Sequence, residues 1–189
     1  VWRNEKPGPG RFREFLQFDA DYVGTKNLQA DAELCILISE ILEKCGLTKE
    51  DYTVKISSRN FTEELFEEIK ISSREQKLTI YRALDKWDRL GWEGVKKLLG
   101  EGREDKSGDF TTGAQLSEKQ IELIENKIRD TAKRPSDILE MGKIFEAYNF
   151  ENYDFDPSVI RGLEYYTGPI FEVNLNFDIK NSKGKKIQF

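Results

Sequence analysis

The chain has 189 residues, 38% of them hydrophobic and 34% charged, and carries a net charge of −5. That length suits one ordinary domain or two small ones, and twelve Phe with three Trp exclude wholesale disorder. The acidic balance excludes a generic basic nucleic-acid binder, so any RNA contact must come from a local patch.

No apolar run reaches the ~18 residues that a membrane span needs, and the opening VWRNEKPGPG lacks the apolar core of a secretory signal. It also lacks an initiator Met, so the chain reads as an internal piece of a longer polypeptide. Residues 1–24 read as a strand, a turn at Pro7-Gly8-Pro9-Gly10 and a second strand. In the second strand Leu16, Phe18, Ala20 and Tyr22 share one face. Arg13, Phe15, Gln17, Asp19 and Asp21 share the other.

Residues 28–45 read as a helix, with Ala30, Leu34, Leu37, Ile38, Ile41 and Cys45 at helical spacing and Gly46 as a stop. Its two cysteines, Cys35 and Cys45, would stand ~15 Å apart along the axis, too far for a disulfide with each other. With no His and two Cys, a zinc site is not expected. Thr53–Ser57 reads as a short strand. Residues 60–133 then hold successive helical patterns around a polar loop, EGREDKSGDFTTG, with 14 Lys/Arg against 16 Asp/Glu. Ser117 and Gln120 form a capping box ahead of the last of these helices. Ser136 is placed to cap a helix through residue 150, and residues 158–179 return to strand character. The fold class expected is α+β, with an antiparallel β-sheet core, flanking helices and a helical insertion. The expected division is 1–59, 60–133 and 134–189. The middle block should pack on itself and touch the sheet little.

Two constellations carry chemistry. The first is Arg3-x-Glu5, the Gly/Pro turn, Arg11-Phe12-Arg13-Glu14-Phe15, then Gln17 and Asp21. It is a strand face that is polar where a buried sheet wants apolar groups. Guanidinium forks suit phosphate oxygens, and a Phe ring can stack on a base. A carboxylate four residues beyond Gln17 lies ~13 Å further along the face. A hairpin with one solvated face would show the same pattern. The second constellation is Arg161-Gly162-Leu163-Glu164-Tyr165-Tyr166-Thr167-Gly168, which by itself is also readable as a Tyr-rich core strand. In a straight strand Arg161 and Tyr165 share a face and Tyr166 points away.

The first constellation resembles motif 2 of the class II aminoacyl-tRNA synthetases in its histidyl form. That form is an Arg-x-Glu strand, a loop, Arg-[Phe/Tyr]-Arg-x-Phe, then Gln-x-x-x-[Glu/Asp]. The second resembles the Arg-Gly-Leu-[Asp/Glu]-Tyr-Tyr motif of the histidyl enzymes. The resemblance covers about residues 1–59 and 134–189. It implies that Arg3 grips the α-phosphate of ATP and the activated carboxylate, that Phe15 stacks on adenine, and that Glu5, Arg11 and Arg13 help hold ATP. It implies histidine-binding roles for Gln17, Asp21, Tyr165 and Tyr166. Arg161 would bind both the α-phosphate and the substrate carboxylate, a role that metal ions fill in related enzymes.

The resemblance further implies a ligase that forms histidyl-adenylate from L-histidine and ATP with Mg2+, holds no metal of its own, and passes histidine to tRNA(His). The parent would be a cytoplasmic homodimer without a membrane segment, and residues 60–133 would be an insertion that meets the tRNA acceptor arm. The family's motif 1 helix, first histidine-binding segment, last ATP-binding motif and anticodon-binding domain have no counterpart here. The piece alone is therefore expected to be inactive. Two rivals stay open: a non-catalytic, histidyl-synthetase-like regulatory paralogue, and a synthetase for another amino acid.

Overall fold

A computed structural model describes residues 1–4, 6–8, 11–105, 108–160, 166–180 and 184. Glu5, Arg161 and Tyr165 lie outside the described residues, so the geometry below concerns the other expected site residues.

The first long element is helix α1, Leu28–Lys44. Asn27 caps it by accepting a hydrogen bond from the Gln29 amide, which satisfies one of the free donors of the first turn. At the other end Gly46 adopts a φ of 97°. There the Leu47 amide donates to the Leu42 carbonyl at 3.1 Å and the Gly46 amide to Glu43 at 3.0 Å. This is a Schellman closure, which favours a residue without a Cβ. Cys35 of α1 is buried and Cys45 exposed, and both are free thiols.

Strand β1, Tyr52–Ser58, is the middle of a three-stranded sheet. Tyr52, Val54 and Ile56 are fully buried, while Lys55, on the opposite face, pairs with Asp154 at 2.5 Å. Period-two alternation thus gives the sheet one core face. The Tyr52 and Ser39 hydroxyls are hydrogen-bonded to each other, tying the strand to α1. One neighbour of β1 is β4, Tyr153–Phe155, which runs parallel to it. The other is β5, Pro169–Leu175, which runs antiparallel. The sheet is therefore mixed rather than antiparallel throughout, and β4 is a strand that sequence patterning did not reveal.

Helices α2 (Arg59–Glu68), α3 (Arg74–Leu84) and α4 (Trp87–Leu99) follow β1. Gly91 breaks the regularity of α4 with φ 65° and ψ 172°. The polar loop expected at 101–113 is instead a hairpin. Its strands are β2, Gly102–Glu104, and β3, Phe110–Thr112. A Cβ on Gly102 would stand 2.3 Å from the Thr111 carbonyl oxygen, so the close crossing of the two chains needs glycine there. Helix α5, Glu118–Arg129, carries the expected capping box. Helix α6, Ser136–Ala147, does not start on a serine cap: Pro135 is the capping residue and makes no side-chain bond. Ser136 is one place too far along the chain.

One continuous hydrophobic core runs through the helices and the sheet. The expectation that residues 60–133 touch the sheet little is corrected at α2. Phe61 meets Phe155 of β4 edge-on at 6.0 Å. Five residues on, Phe66 meets Tyr81 of α3 at 5.1 Å. The Ser117 capping box, by contrast, acts locally. Ser117→Ala should lower stability by about 1 kcal/mol, read as a shift in the denaturation midpoint with little change elsewhere. No change would mean that water replaces the cap without loss.

Residues 1–24 do not join the sheet through any described residue. They form a hairpin of their own, with bridges at Trp2–Glu14 and Gly8–Arg11 and a bond from the Arg3 amide to the Arg13 carbonyl at 2.8 Å. The expected apolar face stays in solvent, with Leu16 101% and Phe18 77% exposed. A two-stranded ribbon has too little surface to bury its own apolar side.

Candidate active site

The expected site residues that the structure describes fall into two groups. In the first, the hairpin places Arg3 across from the strand that carries Phe15. The Arg3 guanidinium lies 5.2 Å from the centre of the Phe15 ring, a cation–π contact. Its Nη2 donates to Gln17 Oε1 at 3.4 Å. Gln17 Nε2 in turn donates to Asp19 Oδ1 at 2.5 Å. The alternation read from the sequence had put Phe15, Gln17 and Asp19 on one face, and the contacts follow that face. Phe15 is half-buried, while Arg3, Arg11, Arg13 and Gln17 are exposed. A planar cation, a ring and an amide thus stand together where a flat, anionic ligand can reach them.

The second group surrounds a cavity of about 650 Å³ whose wall includes Asp21, Tyr22, Lys26, Asp31, Asn60, Asp137 and Tyr166. Five parts of the chain meet there. The segment that follows the hairpin's second strand supplies Asp21 and Tyr22. The start of α1 supplies Asp31, the start of α2 supplies Asn60, and the start of α6 supplies Asp137. Tyr166 stands on the approach to β5. Gln17, expected beside Asp21 in one pocket, is not part of this wall. It bonds instead to Arg3 and Asp19.

The cavity's inner side is fixed by hydrogen bonds. Asp137 is 8% exposed. Its Oδ2 accepts from the Ser58 hydroxyl and from Asn60 Nδ2 at 2.8 Å, and its Oδ1 accepts from the Ile138 amide at 2.9 Å. The Arg59 amide donates to the Gly168 carbonyl at 2.9 Å, which pins the segment just after Tyr166. Burial raises the Asp31 carboxyl above its ordinary value; a backbone hydrogen bond partly offsets this, and the nearby Asp137 charge adds to it. Tyr22 donates to Glu33, and that bond, with the charge it brings close, raises the Tyr22 hydroxyl. The wall offers carboxylates, an amide and phenols to a small polar ligand with donor groups.

Asp31, Asn60 and Asp137 were not singled out in the sequence. Acidic residues in the first turn of a helix are common because they oppose the helix dipole, so neither aspartate stands out until three helix starts converge.

A family model of histidyl-tRNA synthetases matches residues 1–176. The chain belongs to the histidyl-tRNA synthetase family. It is 45% identical to the histidine–tRNA ligase of Bartonella quintana (strain Toulouse), a match that covers all of this chain and 43% of that protein. It is 43% identical to the histidine–tRNA ligase of Rhizobium meliloti (strain 1021), covering all of this chain and 42% of that one. The chain thus spans less than half the length of these relatives of the class II synthetase family.

Solved structures resemble it in fold. A histidyl-tRNA synthetase from Nostoc sp. PCC 7120 superposes with a TM-score of 0.63 at 17% identity, over 80% of this chain and 37% of that one. A protein from Bacillus halodurans C, described as an ATP phosphoribosyltransferase regulatory subunit/histidyl-tRNA synthetase, gives 0.53 at 20% identity, over 81% of this chain and 41% of that one. Among the described residues no helix is long and apolar enough to cross a membrane.

Proposed function

We propose that this chain carries the motif 2 and histidine-motif parts of the active site of a histidine–tRNA ligase, on a class II sheet core with a helical insertion. The observation that supports this most is the pairing of two groups on one hairpin. Arg3 and Phe15 form a site suited to a nucleotide, and Asp21 leads into a cavity that Tyr166 also lines.

The histidine carboxylate attacks the α-phosphorus of ATP, the bond to the β-phosphate oxygen breaks, and pyrophosphate leaves. The terminal ribose hydroxyl of tRNA(His) then attacks the carbonyl carbon of the adenylate and AMP leaves. Mg2+ arrives with ATP. Arg3 and Arg161 hold the α-phosphate oxygens and the substrate carboxylate, where charge builds up in the first step. Arg3 over one face of Phe15 leaves the other face for adenine, and Glu5, Arg11 and Arg13 hold the rest of ATP. Gln17, Asp21, Tyr165 and Tyr166 take the histidine, with Asp21 directed at the imidazole. The work of these residues is alignment and charge stabilisation. In this proposal the parent enzyme is a cytoplasmic homodimer, and residues 60–133 face the acceptor arm of the tRNA.

The test is ATP–pyrophosphate exchange by the full-length gene product, with each amino acid in turn. Exchange that depends on histidine alone is expected. Exchange with a different amino acid, or none with any, would sink the proposal. The 189-residue chain by itself should show no histidine-dependent exchange, because it spans 43% of the first relative's length.

A further inference from the structure

Among the described residues, the segment that carries Gln17 and Asp21 is tied to the rest of the molecule through side chains, Gln17 to Arg3 and Tyr22 to α1. From Leu16 to Val23 no backbone–backbone hydrogen bond joins it to another described residue, and Val23 is 94% exposed. Tyr22 is the anchor. Its hydroxyl donates to Glu33 Oε2, on α1. The other oxygen of that carboxylate accepts from Gln29 Nε2 at 3.1 Å. The same nitrogen donates to the Tyr148 hydroxyl at 3.1 Å, and Tyr148 caps the end of α6. Four side chains therefore join the hairpin strand to α1 and α6 beside the cavity. Gly24, with φ 86°, turns the chain between this anchor and the start of α1.

We infer that the Tyr22–Glu33–Gln29–Tyr148 chain of hydrogen bonds is a positioning device that sets the affinity for the amino-acid substrate, by fixing the backbone from which Asp21 projects. The inference rests on the functional reading given above. Adjacent Cα atoms lie about 3.8 Å apart, so restraining Tyr22 restrains Asp21 almost as tightly. A hydroxyl donating to a carboxylate is one of the stronger neutral-to-charged bonds. Displacement of a substrate-holding group by ~1 Å is enough to cost much of its effect. Tyr22 acts through Asp21 and need not touch the reacting atoms. The effect should appear in the amino acid and not in ATP, because Arg3 and Phe15 are held by separate backbone bonds of the hairpin.

The experiment uses the full-length protein and reads histidine-dependent ATP–pyrophosphate exchange. Tyr22→Phe removes one oxygen and keeps the ring. It should raise the KM for histidine about three- to tenfold, with kcat and the KM for ATP moving less than about twofold. Glu33→Ala should match it, and Glu33→Gln, which keeps an oxygen acceptor, should recover part of the loss. The double variant Tyr22→Phe/Glu33→Ala should be no worse than either single one, since both break the same bond. A histidine KM unchanged by Tyr22→Phe in an active enzyme would overturn the inference alone. So would equal rises for histidine and ATP, which point to a merely structural role. A wild-type enzyme without histidine-dependent exchange would overturn the functional reading, and this inference with it.

Discussion

Arg3→Ala in the full-length protein should lower histidine-dependent ATP–pyrophosphate exchange by on the order of 100- to 1000-fold, the usual cost of one preorganised contact to developing charge. The loss should fall on kcat more than on the KM for ATP. Arg3 is proposed to hold charge that grows only as the α-phosphate is attacked, and such a contact does not strengthen ground-state binding. Arg3→Lys should rescue poorly. Lysine keeps the charge but has no planar fork, so it cannot bridge two oxygens at once. The same result is expected for Arg161→Ala and Arg161→Lys. Near-normal kcat in Arg3→Ala, or a loss confined to the KM for ATP, would show that the charge is held elsewhere.

Phe61→Ala should cost about 3–5 kcal/mol of stability, the range for removing a large aromatic from a packed core. Phe61 is 2% exposed and meets Phe155 of β4, and Lys127 Nζ lies 5.9 Å from its ring. The cavity would open where α2, the sheet and α5 meet, so local collapse could fill little of it. In a protein of the relatives' length, more than twice that of this chain, the melting midpoint should fall by about 3–5 °C, read by circular dichroism on the full-length protein. A fall below ~2 °C would mean that α2 does not pack on the sheet in solution.

What the sequence revealed was mostly local. Gly46 marks the end of α1 because a helix stop is decided within a few residues. The Ser117–Gln120 box has the same character. The grouping of Phe15 and Gln17 followed from the period of a strand. What stayed hidden was set by distant partners. Residues 101–113 show no apolar alternation, so the β2–β3 hairpin is held by backbone pairing and close glycine contacts rather than by a buried face. The three residues of β4 alternate, Tyr-Asp-Phe, but are too few for alternation to mark a strand, and the pairing with β1 is what identifies it. Residues 1–24 do alternate. Alternation alone, however, names a face and not the surface that should cover it. The cavity was half legible. Asp21 and Tyr166 came from motifs, while Asp31, Asn60 and Asp137 become neighbours only when α1, α2 and α6 start at the same place.

Helix α2 belongs to two structures at once. One side of it supports the sheet through Phe61. The other supports α3 through Phe66, and buried Arg59 lies 4.0 Å from the Tyr81 ring. A surgeon of this chain would therefore be misled by the composition change near residue 60. A cut there strips the sheet of a wall and leaves the excised helices with an oily flank. The helices pause further in, around Ile71–Ser73 and Asp130–Arg134, but a cut at the first of these would part Phe66 from Tyr81 and expose buried Ile71. Helix α2 therefore has to keep both flanks at once, and a change on either one is felt by the sheet and by α3 together.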